Sequence, residues 1–173
     1  ITIAFVGCTR YDDYLYEVVS LKATNADNGG QQPVDAVNDS VPAKAYAIKL
    51  EYTMERRGGT GDNLDTHESG YVNEDKLNSI NVYALSYFDS AHAAGISLND
   101  YFMVSPGGTI ENKIANGNIG AGSNQGSDAG SWNSFEYLML MVEPQATGNY
   151  SFVIDMGMSD GRHLTDTTSV ILY

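Results

Sequence analysis

The chain has 173 residues, 42% of them hydrophobic, a length and composition that suit one domain with a single core. Twenty-two acidic residues against nine basic ones give a formal net charge of -13, which repels phosphate backbones and anionic lipid headgroups and argues against a nucleic-acid partner. The one cysteine, Cys8, excludes an intrachain disulfide framework and a thiolate metal cluster.

In chain order, the first element is the apolar run Ile1–Gly7, too short to span a bilayer but the right size for the tail of a signal peptide's hydrophobic region. Phe5-Val6-Gly7-Cys8 resembles a bacterial lipobox, with Phe5 where Leu is more usual. Small Gly7 lets a peptidase reach the bond, the Cys8 thiol takes a diacylglyceryl group, and two or three acyl chains give stable anchoring where one does not. Thr9-Arg10-Tyr11-Asp12-Asp13 behind it is similar to the surface-export signal of Bacteroidetes lipoproteins. The alternative is that Ile1–Val6 form a first β-strand and Cys8 is a small buried group. The expected organisation is a signal remnant over 1–8, a short acidic tether over 9–13 and a folded domain over 14–173.

Strands are expected at Tyr14–Ala23, Ala45–Glu55, Ser79–Phe88, Tyr101–Val104 and Thr168–Tyr173. The second has the clearest alternation, with Tyr46, Ile48, Leu50, Tyr52 and Met54 on one face and Lys49, Glu51, Thr53 and Glu55 on the other. Phe135, Tyr137, Met139 and Met141 alternate likewise, as do Tyr150, Phe152, Ile154 and Met156, and the turn-forming residues 143–149 suggest that these two strands pair as a hairpin. Leu138, Leu140 and Val142 fill the other face of the first of the two, so it is read as a central, covered strand. Ser159-Asp160-Gly161-Arg162 is expected to turn between the last two strands on a positive φ at Gly161, and Gly148-x-Tyr150 suggests a tyrosine corner. Only Ser90–Leu98 has room for a helical turn, and Gly95 keeps it short. About seven strands without a long amphipathic helix specify an all-β antiparallel sandwich, immunoglobulin-like or related.

Polar segments over Asn25–Ser40, Gly58–Gly70 and Gly117–Gly130 are expected as loops, the third with almost nothing to bury. Asp27, Asp62 and Asp65 lie in clusters dense enough to raise calcium as a ligand, but without the glutamate spacing or helical flanks of an EF-hand, and solvated Asx-turns are the simpler account of them. His67, His92 and His163 could serve as catalytic bases, yet none sits in a motif that signals a mechanism. Carboxylates for glycoside hydrolysis could come from Glu17, Glu51, Glu55, Glu136 or Asp155, whose separation the sequence leaves open. Trp132, Tyr71 and Tyr11 flank loops and are the aromatics placed to stack on a sugar ring.

The segments Asn38–Tyr46, Gly148–Ile154 and Ser159–Thr168, taken with the lipobox, resemble Bacteroidetes envelope lipoproteins carrying domains of unknown function. That resemblance implies a lipid anchor and a β-sandwich, and brings no catalytic residues with it. The expectation is therefore a non-enzymatic binding or structural module at the outer membrane, lipidated on Cys8. Its partner would be a glycan or a protein; a small hydrolase is the enzymatic alternative.

Overall fold

The computed structural model describes residues 13–59, 70–73, 75–117, 119, 122–123 and 131–173. Among them the strands are β1 (Asp13–Asp27), β2 (Val34–Asp35), β3 (Ser40–Val41), β4 (Tyr46–Gly59), β5 (Gly70–Asn73), β6 (Leu77–Ala84), β7 (Phe102–Val104), β8 (Gly122–Ser123), β9 (Ser131–Leu140), β10 (Gly148–Met158) and β11 (His163–Leu172), with one α-helix, α1 (Ile110–Asn116). A seven-stranded sheet runs β2-β1-β4-β9-β7, with β5 also beside β1 and β8 also beside β9, and a four-stranded sheet runs β3-β11-β10-β6. The two pack face to face, which is the all-β sandwich expected from the strand pattern.

Alternation on β4 does what it predicts: Tyr46, Ile48, Leu50, Tyr52 and Met54 are all buried, while Lys49, Glu51 and Thr53 are half-buried and Glu55 is exposed. From the opposite sheet Tyr150, Phe152, Ile154 and Met156 of β10 point inward to meet them. The Tyr46 ring stacks on Phe152 at 5.3 Å, and Phe102 of β7 meets the same ring edge-on at 6.0 Å. Phe152 is therefore the point where both sheets touch, and truncating a buried aromatic of this kind costs about 3–5 kcal/mol.

Polar side chains close one side of the sandwich. The Asn25 amide on β1 is used to capacity: Nδ2 donates to Asp39 Oδ1 at 2.8 Å and to the Ser169 carbonyl at 2.7 Å, while Oδ1 accepts from the Tyr46 hydroxyl and from Thr168 Oγ1, both at 2.9 Å. A bulge precedes it, since Val18 pairs with Met54 and Ser20 with Thr53, leaving Val19 as the extra residue. At the bulge the Val18 amide donates to Asp75 Oδ2 at 2.7 Å and its carbonyl accepts from Arg162 Nη1 at 2.8 Å. Arg162 also grips both oxygens of Asp75 at 2.8 Å.

Several expectations are corrected. Strands β9 and β10 do not form a hairpin: β9 pairs with β4, β7 and β8 in one sheet, and β10 with β11 and β6 in the other. Residues 141–147 are long enough to arch between the layers, and alternation alone does not say which layer a strand joins. On β9 the inward face is Ser134, Glu136, Leu138 and Leu140, whereas Phe135 is exposed and Tyr137 and Met139 half-buried on the outer face, with Lys49 Nζ 5.5 Å from the Phe135 ring centre. Helix forms at Ile110–Asn116, capped by Thr109 Oγ1 and ended by left-handed Gly117, while Ser90–Leu98 is a set of turns through Gly95 at φ +80°. Asn25–Ser40 is not one loop, because β1 continues to Asp27 and β2, a 3-10 turn and the start of β3 follow. The strand expected at Ser79–Phe88 starts earlier and stops at Ala84, and the last strand begins at His163 rather than Thr168.

The turn after β10 carries Gly161 at φ +89°, as expected, and joins β10 to β11. The Tyr150 hydroxyl donates to the Ala146 carbonyl at 2.7 Å, the upstream reach of a tyrosine corner. Replacing Asn25→Ala leaves Tyr46, Thr168 and the Ser169 carbonyl without their partner and is expected to cost about 3 kcal/mol, against about 1 kcal/mol for Tyr46→Phe. Urea denaturation of both variants measures the two costs, and equal midpoints would show that the Asn25 network is not a structural centre.

Candidate functional site

A charged residue on the inner face of a sheet is costly unless something answers it, and Glu136 is the one such glutamate among the described strands. Its side chain is fully buried. Oε1 accepts from the Tyr52 hydroxyl on the neighbouring strand β4, and Lys113 Nζ on α1 stands 2.6 Å from Oε2. Lys113 approaches off the direction of a hydrogen bond, so Oε2 is ion-paired but accepts no aligned donor. Burial, with the Glu136 carboxylate beside it, pushes the Tyr52 hydroxyl well above its ordinary range, which keeps it a proton donor to Glu136.

The backbone around this pair leaves an opening. Strand β7 pairs with β9 only over Phe102–Val104, and the chain then turns through Ser105, Pro106, Gly107 and Gly108, with the Gly107 amide donating to the Val104 carbonyl at 2.8 Å and the Val104 amide donating to the Gly108 carbonyl at 2.9 Å. Gly107 and Gly108 hold φ at +142° and +151°, values that an L side chain rarely adopts. Helix α1 begins directly after, pinned by buried Ile110 and half-buried Ile114, and Lys113 falls on that same face at helical spacing. A groove of about 310 Å³ results, walled by Ser105–Thr109 on one side and by Asn112, Lys113 and Asn116 on the other, with Glu136 among its lining. That volume is at the lower end for small-molecule sites.

The residues picked out in the sequence lie elsewhere. Cys8, Tyr11, Asp62, Asp65 and His67 fall outside the described residues. Asp27 Oδ1 accepts from the Gly29 amide at 2.7 Å, the hydrogen bond of an Asx-turn. No group of three or more His, Cys, Asp or Glu placed to hold a metal occurs among the described residues. The Tyr71 backbone pairs with Tyr14 on β5, and the Trp132 backbone pairs with Met54 on β9, so β1 and β4 separate those two positions. Of the five acids, Glu51 faces out of the sheet that buries Glu136, Glu17 meets Arg57, and Asp155 accepts from Thr165 at 3.0 Å on the second sheet. His163 is exposed, with Nδ1 3.0 Å from Asp155. Glu136 could be found in the sequence as the one acid in phase with Leu138 and Leu140; Lys113 could not, because a seven-residue helix is too short to show a period.

His92 is buried in a corner of its own. Nδ1 lies 3.0 Å from Asp89 and Nε2 3.3 Å from Asp100, and the ring packs on Tyr101 at 4.2 Å. Burial disfavours the Asp89 carboxylate, but hydrogen bonds from the Tyr101 hydroxyl, the His92 ring and the amides of His92 and Ala91 outweigh it and hold the carboxyl at about 2. A carboxyl depressed on folding contributes stability that is complete above its unfolded value near 4 and is lost as pH falls through about 2. The wild type should therefore lose stability between about pH 4 and pH 2 more steeply than Asp89→Asn, as measured by thermal unfolding across that range. Parallel curves for the two proteins would contradict the assignment.

No curated protein and no solved structure matches the chain. Residues 18–169 match a family described as a domain of unknown function, DUF5034. The match runs from the β1 bulge into β11 and takes in both sheets, α1 and the residues that line the groove, and on that span the chain belongs to the DUF5034 family.

Proposed function

We propose that this domain is a non-enzymatic binding module of the bacterial envelope, held at the outer membrane by a lipid on Cys8, with the groove over Glu136 as its ligand site. The observation that carries the binding site is the groove between the Ser105–Thr109 turn and α1, with Lys113 on its wall and ion-paired to the fully buried Glu136 beneath it. A buried ion pair rarely adds net stability over well-packed apolar residues, so its presence at the end of an otherwise apolar row favours a use in recognition. Binding is favoured over catalysis because the acid and the base are committed to each other, and Thr109 Oγ1 in the groove wall already accepts from the Asn112 amide at 3.2 Å. The enclosing loop and helix give a preformed cleft of the kind that binding modules use.

Anchoring rests on the lipobox-like Phe5-Val6-Gly7-Cys8 and the acidic residues behind it. No helix among the described residues is long and apolar enough to cross a membrane. A net charge of -13 supports a partner other than nucleic acid.

Two measurements test the two halves of this reading. Expression of a precursor in a bacterial host, with and without Cys8→Ala, should give a mature N-terminus carrying a diacylglyceryl group only when Cys8 is present, as read by mass spectrometry; an unmodified Cys8 would remove the anchor. For the groove, Asn112→Trp fills it from an exposed helix position without touching the core. A thermal-shift screen of polysaccharide fragments and peptides should find a compound that raises Tm in the wild type and not in Asn112→Trp. Shifts identical in both proteins would place binding elsewhere, and turnover of a screened compound that is lost in Glu136→Gln would replace binding by catalysis.

A further inference from the structure

We infer that the domain carries a second binding site, on the outer face of the four-stranded sheet, that takes a neutral saccharide. Its floor is two cross-strand pairs of β10 and β11, Ser151 with Ser169 and Asn149 with Ile171. Its wall is the turn of Asn38 and Asp39, which leads into β3 on the other side of β11. Together they bound a cleft of about 390 Å³. Wall and floor hang on one nitrogen, because Nδ2 of buried Asn25 donates to Asp39 Oδ1 at 2.8 Å and to the Ser169 carbonyl at 2.7 Å. The turn they fix puts two successive residues in left-handed backbone, Asn38 at φ 52° and Asp39 at φ 49°, a conformation that costs energy outside glycine and persists where surrounding contacts over-determine it. The cleft is therefore preorganised, and a ligand does not have to order it.

The lining suits hydroxyl groups. Asn38, Asn149, Ser151 and Ser169 can each donate and accept, and one carboxylate oxygen of Asp39 accepts no hydrogen bond among the described residues. The Ser151 and Ser169 hydroxyls stand 2.8 Å apart, so one donates to the other and a proton remains for a ligand. Ser151 is half-buried and the other four polar side chains are exposed, so a ligand reaches them directly. Ile171, 47% exposed, offers an apolar patch to the C–H face of a sugar ring. Other ligand classes fit less well. An anion meets Asp39 and a net charge of -13 with no Lys or Arg in the lining. A cation has one carboxylate to pair with and leaves the amide and hydroxyl protons unanswered. An apolar ligand would strip water from five polar side chains and return no hydrogen bond to them.

The test is isothermal titration of the 173-residue chain with methyl glycosides of glucose, galactose and mannose and with neutral oligosaccharides built from them, with galacturonate and spermidine as charged comparisons. Binding of a neutral saccharide is expected, and it should change little between about 0.05 and about 0.5 M salt. Asn149→Trp, at an exposed strand position that suits an aromatic residue, fills the cleft and should abolish binding. Asp39→Asn keeps an oxygen for Asn25 but removes the charged acceptor, and should weaken binding about tenfold or more. Thermal unfolding checks that both variants fold, and either one alone suffices to test the cleft. Saccharide binding undiminished in both variants would overturn the site. Loss of that binding in Asn112→Trp but not in Asn149→Trp would place the sugar in the groove beside Lys113, overturning this site while leaving the proposed function standing. Cleft-dependent binding of spermidine or galacturonate in place of the neutral sugars, or no binding by any neutral member of the panel, would overturn the ligand class.

Discussion

The free edge of β1 is the constraint on which the sandwich depends. This strand runs fifteen residues and is paired with β4 along one side, but among the described residues its other side has strand partners only at the ends, β5 over Asp13–Tyr16 and β2 over Ala26–Asp27. The stretch between would leave backbone donors and acceptors open to any passing strand. Side chains from around the second sheet fill the gap: Asp75 and Arg162 take the Val18 amide and carbonyl, and Asp166 takes the Ala23 amide at 2.7 Å. Asp75 lies just ahead of β6 and Arg162 in the turn before β11, so satisfying this edge fixes where the four-stranded sheet sits against the seven-stranded one.

With that corner closed, the rest follows from packing. Tyr46 belongs to both systems, donating to Asn25 at the polar edge and stacking on Phe152 in the apolar middle. A change in the edge register would move β4, and with it the row that holds Ile48, Leu50 and Tyr52 in the core. Tyr52 is also the strand neighbour that donates to Glu136, so the geometry at the groove floor is set by the same strand that builds the core. The groove itself is a gap along β9: β7 pairs over Leu138–Leu140 and β8 at Ser134 and Phe135, and Glu136 falls between them.

Legibility in the sequence tracked how many independent constraints each residue obeys. β4 was readable because five apolar residues at period two, with charges between them, suit one pleated face and nothing else. The β10–β11 turn was readable because Gly161 supplies a backbone conformation other residues resist. The partnering of β9 was not, since both its faces are rich in apolar residues and the choice of layer depends on β7 and β4, far away in sequence. The same ambiguity hid the site. Glu136 stood among five scattered acids until the inward phase of β9 was known, and Lys113 became relevant only once α1 folded it over that strand.

The groove's chemistry is also hard to lose one residue at a time. An apolar residue at 136 would extend the Leu138–Leu140 row, but it would leave the Tyr52 hydroxyl and the Lys113 ammonium buried without an acceptor. Removing Lys113 alone would strand a carboxylate inside the sheet. The three residues therefore hold one another in place, on β4, on β9 and on α1, and a purely structural solution would need all three replaced together.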